Sequence, residues 1–463
     1  MRLSRVFIFL IICLSFFIFG CATHDLKPIS AKNRAEQLLS RNLNESGFLE
    51  FVRKNQNAGL GLSGKAWSLD RLTLAAFYFH PDMELARAQN QLARAGIAKA
   101  RERANPTLSF TPEGITNPGV GLSPWIQSFN LNIPLETGGK RRARLKQAGA
   151  LNLAENYNFV TTAWLVRSRL ASAFFHVYLA GKKVSLLKAQ QTLLESFLGA
   201  LRERARSGMN SPRDVTDLEI VFDQTKLDLT DAQNRQDLAR ADLAAAIGLP
   251  LATIKTLSLD FSIFTKLPIF NSTNKQTLQM LALTNRSDIL SGVADYAGCL
   301  ANLEQELAKR YPDLNLGPGY QWSQGEHHWS LGFSLTLPLL NFNRGAVAQA
   351  NAQCAASMAR FNQLQVGIVA NLDHTLLDFM GASQREQLLK IKWQHEQLRV
   401  EQIRGTGASE EAVRHSLVLA QINRQATELA YFDSLDVTYK ALFDLENILQ
   451  RPLLGYAKIM GAL

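Results

Sequence analysis

Two periodicities alternate along this chain. From Asp82 onward, Leu85 and Leu92 with Ala86, Ala93 and Ala100 recur every seven residues, a narrow apolar seam that predicts a long first helix packed on a partner helix. Pro106 ends it, because the residue before a proline is pushed out of the α region. The rhythm then changes to two. Thr107-Leu108-Ser109-Phe110 alternates, and after a turn-rich patch Phe129, Leu131 and Ile133 share one face while Ser128, Asn130 and Asn132 share the other. Such alternation over short runs predicts strands.

The pattern then repeats. Asp288 stands 24 residues before Pro312, as Asp82 stands 24 before Pro106, an offset of 206 residues between copies. In the second strand pair Leu331, Phe333, Leu335 and Leu337 face one way and Gly332, Ser334 and Thr336 the other. Further along, Ile133-Pro134-Leu135 answers to Leu337-Pro338-Leu339. The duplication predicts one helix–hairpin–helix unit written twice.

Helical sequence resumes behind each hairpin, from about Gly138 to Arg206, Pro212 to Gly248, Asn343 to Arg404 and Ser409 to Leu449. An unbroken run near sixty residues would reach about 90 Å. Two breaks interrupt these arrays, Ser207-Gly208-Met209-Asn210-Ser211-Pro212 and Gly405-Thr406-Gly407-Ala408-Ser409. Each joins a terminating glycine to a new cap, Ser211 or Ser409, as tight helix-to-helix turns do.

The hairpins have no other strands in sequence to pair with, and a lone hairpin is marginal in water. Their apolar-out, polar-in alternation over about ten residues suits a membrane-spanning barrel. Four strands are too few to close one and open edges cannot lie in lipid. The barrel must then be shared between chains.

The N-terminus carries Arg2 and Arg5, an apolar run from Val6 to Phe19, and Ile18-Phe19-Gly20-Cys21. This reads as an export signal over residues 1–20 with Cys21 as the lipid-attachment residue, plain cleavage after Ala22 being the competing reading. A single lipid chain binds marginally, so a second anchor is expected. The expected organisation continues with an N-terminal tether over 21–69 carrying one short helix. A first repeat over 70–250 (hairpin about 106–135) follows, then a linker over 251–270, a second repeat over 271–450 (hairpin about 312–340) and a tail over 451–463.

The formal net charge is +10, or +8 once Arg2 and Arg5 leave with the signal. No basic run is interleaved with aromatics, which argues against nucleic acid as a partner. The eight histidines form no HExxH pair, ligand set or triad neighbourhood, and Gly138-Gly139-Lys140-Arg141 lacks the full phosphate-loop spacing. These features argue against an enzyme and call for no cofactor. Glu326-His327-His328 offers donors for a divalent ion, but falls where a polar turn between the last two strands explains it. Cys299 and Cys354 read as buried small apolar residues at similar depth rather than a disulfide, their pairing left open.

The doubled unit, the two Pro-opened hairpins and the turn from Arg204 to Val215 resemble the TolC-like outer membrane efflux proteins over about residues 70 to 450. The strings from Ile133 to Arg144 and from Leu337 to Gly345 look most like its cobalt-zinc-cadmium resistance branch. The resemblance implies a mainly α fold with a membrane β-barrel portion. It implies a homotrimer with a twelve-stranded barrel continued by a periplasmic α-helical barrel, anchored in the outer membrane. It also implies docking to a periplasmic adaptor of an inner-membrane resistance-nodulation-division pump through the helical turns at Arg204, Gly208, Ser211, Gly407 and Ser409. Glu410-Glu411 after Ser409 departs from the first turn. On this reading the protein is a passive exit duct for pumped substrates, heavy-metal cations first. A duct for drugs, organic compounds or a secreted polypeptide is the alternative, and a lipid-anchored coiled-coil scaffold without a pore is the reading from another class.

Overall fold

The computed structural model describes residues 28–54, 66–264, 275–338, 340–405 and 410–453, with the side chains of 410–415 left aside. Cys21, Gly407 and Ser409 lie outside the described residues. The chain divides into two units, Met1–Asn42 and Leu43–Leu463. In the first, helix α1 (Ala31–Leu39) starts at Ser30, whose hydroxyl accepts from the Asn33 amide at 3.4 Å. All that follows belongs to the second.

Helix α2 (Ser46–Lys54) buries Phe48 and Val52, and α3 (Leu69–Phe79) buries nine of its residues. The stretch read as a tether with one short helix thus carries both α1 and α2. Helix α3 also precedes the helix expected to come first at Asp82. It shows no seven-residue rhythm because it is apolar almost all round, the signature of a helix enclosed by others.

Helix α4 (Pro81–Arg101) opens on Pro81, with the His80 ring accepting from the Asp82 amide at 3.1 Å. Of its expected seam, Ala86 and Ala100 are buried, while Leu85 and Leu92 are exposed. The small residues allow close packing within the chain; the leucines stay on the outer side.

After α4 come β1 (Thr107–Gly114) and β2 (Trp125–Leu135), then α5 (Lys140–Arg206) and α6 (Pro212–Ile247). Helix α5, at 67 residues, extends for about 100 Å. Gly248 closes α6 at φ +86°, and a Cβ there would lie 2.6 Å from the Phe79 carbonyl oxygen, so only glycine lets the two segments meet.

The described part of the expected linker, residues 251–264, is folded into the core. It contains α7 (Leu251–Lys255) and a 3₁₀ turn at Ser262–Phe264, and Leu259 bridges Trp67 in parallel. Phe264 packs with Phe174, Phe175 and Tyr439, the last two stacked at 4.2 Å. The second copy follows as α8 (Lys275–Asn285), α9 (Ser287–Ala308), β3 (Leu314–Ser323), β4 (Glu326–Leu335), α10 (Arg344–Gly405) and α11 (Glu410–Leu449). The main core thus gathers α3, α5, α6 and α11 around Leu72, Phe77, Leu170, Leu243 and Leu442.

The two hairpins are not isolated. All pairings are antiparallel, and β2 pairs with β3, so they merge into one four-stranded sheet of order β1-β2-β3-β4. Among the described residues β1 and β4 each have a single neighbour, leaving an open edge on both sides.

Candidate channel wall and helical tip

The register sorts the sheet into an apolar face and a polar face. Leu135, Leu314 and Leu335 form one row nearest the helices, followed by Ile133, Leu316 and Phe333. The next row passes through Leu108, Leu131, Pro318 and Leu331. Above it Phe110, Phe129, Tyr320 and Trp329 cross all four strands, with ring centroids 4.6, 6.3 and 4.9 Å apart in turn. Leu331, Phe333 and Trp329 are 62%, 65% and 80% exposed. From Leu337 to Trp329 the apolar positions cover about 26 Å of extended chain, close to the ~25 Å apolar band of outer-membrane barrels. An aromatic row at one margin of such a band is where ring and polar tip meet headgroups.

The opposite face carries Ser109, Asn130, Asn132, Asn315, Gln321 and Ser330, with no carboxylate until Glu113 and Glu326 at the far end, beside His328. The sequence placed Glu326-His327-His328 in the turn. The turn is instead Gln324-Gly325, both at positive φ, and the three residues open β4. Strand alternation separates them. His327 joins the apolar side, its Nδ1 2.7 Å from the Tyr320 hydroxyl, while His328 lies 3.8 Å from Glu326 on the other. Among the described residues no three His, Cys, Asp or Glu side chains are grouped to hold a metal ion.

Polar contacts bind the feet of the strands to the helices. Lys140, at the start of α5, meets Asp313 at 2.7 Å and donates to the Tyr311 carbonyl at 2.8 Å. Burial raises the Asp313 pKa, but Lys140 and the Thr137 amide outweigh it and hold the carboxyl below its ordinary value. Arg144 grips Glu136 at 2.6 Å and the Glu102 carbonyl, and Arg141 caps α4 through the Arg101 carbonyl. Just behind, Cys299 on α9 and Cys354 on α10 form a disulfide with Cα atoms 5.5 Å apart. The reading as two unpaired apolar cysteines is corrected: pairing depends on how the two helices meet, which spacing along the chain does not specify.

At the other end of α5 the turn is closed by backbone hydrogen bonds. The Met209 amide donates to the Arg204 carbonyl at 3.0 Å and the Gly208 amide to Ala205 at 3.1 Å, with Gly208 at φ +73°. This is the Schellman closure that glycine favours. Ser211 then starts α6, its hydroxyl accepting from the Arg213 amide, while its own amide donates to Asp214 at 3.2 Å. Arg204 Nε donates to Asn210 at 2.9 Å. Arg204, Gly208 and Ser211 are therefore brought together in one compact tip. Asp214 and Asn210, which sequence reading did not single out, brace it; the Ser-x-x-Asp spacing was the available signal.

A long polypeptide that pairs extended helical hairpins with a sheet apolar on one face and polar on the other has the build of a channel-forming outer-membrane protein. The chain belongs to the outer membrane efflux protein family, whose sequence pattern it matches over residues 79–249 and 278–404. It is 23% identical over 295 residues to the cobalt-zinc-cadmium resistance protein CzcC of Cupriavidus metallidurans, covering 63% of this chain and 68% of that one. It is likewise 23% identical to the nickel-cobalt-cadmium resistance protein NccC of Alcaligenes xylosoxydans xylosoxydans, covering 62% of this chain and 64% of that one. Its fold is similar to that of the transmembrane channel protein CusC, with TM-score 0.66, 16% identity, and coverage of 82% of this chain and 91% of that one.

Proposed function

We propose that this chain is the outer-membrane duct of a tripartite efflux system that expels heavy-metal cations. The observation that carries the reading is the four-stranded sheet with one apolar face and two open edges. Four strands fall short of the roughly eight that a small barrel needs, and open edges do not persist in lipid. Three copies supply twelve strands, a homotrimer in which β1 of one chain meets β4 of the next. The long helices continue the wall into the periplasm, in two repeats over 70–250 and 271–450.

The duct does no chemistry. An inner-membrane resistance-nodulation-division pump provides the energy. A periplasmic adaptor meets the helical tips at Arg204, Gly208 and Ser211, with Gly407 and Ser409 their counterparts in the second copy. Lipid on Cys21 adds a second anchor to the barrel. Cobalt, zinc, cadmium and nickel are the first candidates as cargo because the relatives CzcC and NccC are resistance proteins for those metals.

Deletion of the gene is expected to raise sensitivity to cobalt, zinc and cadmium while leaving sensitivity to dyes and detergents unchanged. The reverse pattern would reassign the duct to organic compounds. Absence of single-channel conductance in planar bilayers would leave the scaffold reading instead.

A further inference from the structure

The chain's positive charge is gathered where the helices meet the sheet. Segment 99–103 has three basic residues and one acidic, segment 136–146 five and one, segment 304–313 two and three, and Arg344 opens α10. Eleven basic residues oppose five acidic ones, so six of the chain's ten net positive charges lie in this belt. The tip, residues 202–219, has four of each sign and no excess. The belt is one level of the molecule, since Lys140, Arg141 and Arg144 cross-link the ends of α4, α5 and α9 there.

Its acidic members are largely spent on internal pairs, Lys140–Asp313, Arg144–Glu136, Lys146–Glu304 and Lys309–Glu306. Arg101, Arg103, Arg142 and Arg310 are exposed and, among the described residues, their side chains have no acidic partner. Arg103 and Arg310 each stand four residues before a strand, just beneath the lowest apolar row of Leu135, Leu314 and Leu335. Large apolar side chains are interleaved with them. Tyr311, Leu340 and Phe342 are exposed, and the Arg344 guanidinium lies 5.8 Å from the Phe342 ring.

We propose that this belt binds the anionic headgroups of phospholipids in the leaflet on the helical side of the membrane. The inference rests on the reading that the sheet spans the membrane. Guanidinium groups pair with phosphate oxygens in a fixed fork, and exposed apolar side chains beside them suit the acyl boundary. A basic layer flanking an apolar band is the arrangement that anionic lipid attracts within a Debye length. An acidic protein surface or a second copy of this chain could also be drawn to it. The contiguity with the apolar rows favours lipid.

The test reconstitutes the full chain in vesicles of phosphatidylcholine with phosphatidylglycerol, measures insertion by flotation, and counts retained lipids by native mass spectrometry. The native protein should retain phosphatidylglycerol over phosphatidylcholine. That preference should fall by about tenfold or more in R101Q/R103Q/R142Q/R310Q, and return in part when the same four positions carry lysine, which restores the charge without the fork. Equal retention of both lipids by the native protein overturns the proposal. So does a preference that survives the glutamine changes, one displaced by inorganic phosphate, or glutamine changes that weaken only trimer assembly. A native protein that fails to float in any vesicle overturns the membrane reading beneath it, an outcome separate from metal sensitivity in cells.

Discussion

Arg167 on α5 donates to Glu446 on α11 at 2.8 Å, with only 2% and 1% of the two side chains exposed. The pair joins the first repeat to the last helix, and the other Glu446 oxygen accepts from the Leu453 amide. Removing one member would leave the other buried without its counter-ion, at a cost of about 3–5 kcal/mol. Arg167→Met and Glu446→Leu are each expected to lower the unfolding midpoint of the purified protein strongly. The double variant should be far milder, and a double variant as damaged as the singles would refute the pairing as the cause.

On the sheet, adjacent residues of β4 should tolerate charge very differently. Leu331 lies on the apolar face and Ser330 on the polar one. Arginine on the lipid face costs about 2–4 kcal/mol near the midplane, so Leu331→Arg is expected to deplete the protein from the outer-membrane fraction. Ser330→Arg should insert normally and alter conductance. Equal behaviour of the two would mean the faces are assigned wrongly.

The elements were legible wherever one periodicity ruled. The four long helices end within two residues of expectation, α5 and α6 because Gly208, Pro212 and Gly248 punctuate them, while α4 stops at Arg101, short of Pro106; β2 and β4 followed from clean alternation at Phe129–Ile133 and Leu331–Leu335. Helix α3 escaped because burial on every side erases the rhythm. The pairing of β2 with β3, and hence the row from Phe110 to Trp329, escaped because register between distant segments is set by tertiary contact. The first tip was readable from Gly208 and Ser211, whose roles are local; Arg167 and Glu446, 279 residues apart, carry no local signal.

The Cys299–Cys354 disulfide encloses 55 residues of separation, including the whole β3–β4 hairpin. Constraining a loop of that size in the unfolded chain is worth about 2–4 kcal/mol. Cys299→Ser/Cys354→Ser is expected to lower the thermal midpoint, and reductant should do the same to the native protein while leaving the variant unmoved. A midpoint insensitive to reductant would show that the bond adds nothing to stability.

His176 on α5 lies 3.3 Å from Asp436 on α11 and holds that carboxyl below its ordinary pKa, burial opposing only in part. A depressed carboxylate stabilises the fold above the unfolded pKa near 3.9 and loses that contribution as pH falls through the folded value. Both side chains are 44% exposed, so solvent screening keeps the effect under about 1 kcal/mol. His176→Ala should reduce stability slightly near pH 5, and the difference from native protein should shrink towards pH 3. A difference that grows on acidification would contradict the assignment.

Gly208 provides the sharpest test of the tip. At φ +73° it occupies the left-handed region, yet a Cβ placed there meets nothing within 4 Å. A substitution is therefore strained in backbone alone, by about 1–2 kcal/mol for most residues and less for asparagine. Such a cost is small against the packing of α5 on α6 through Val184, Leu187, Leu229 and Ala232, so Gly208→Val should still assemble and reach the outer membrane. What it disturbs is the path from Arg204 to Ser211, the surface proposed to meet the adaptor. Metal resistance is expected to drop in Gly208→Val and to be largely kept in Gly208→Asn, with trimer bands on gels equal in both. Full resistance in the valine variant would remove the tip from the docking surface, and loss of trimer would assign it a structural role instead.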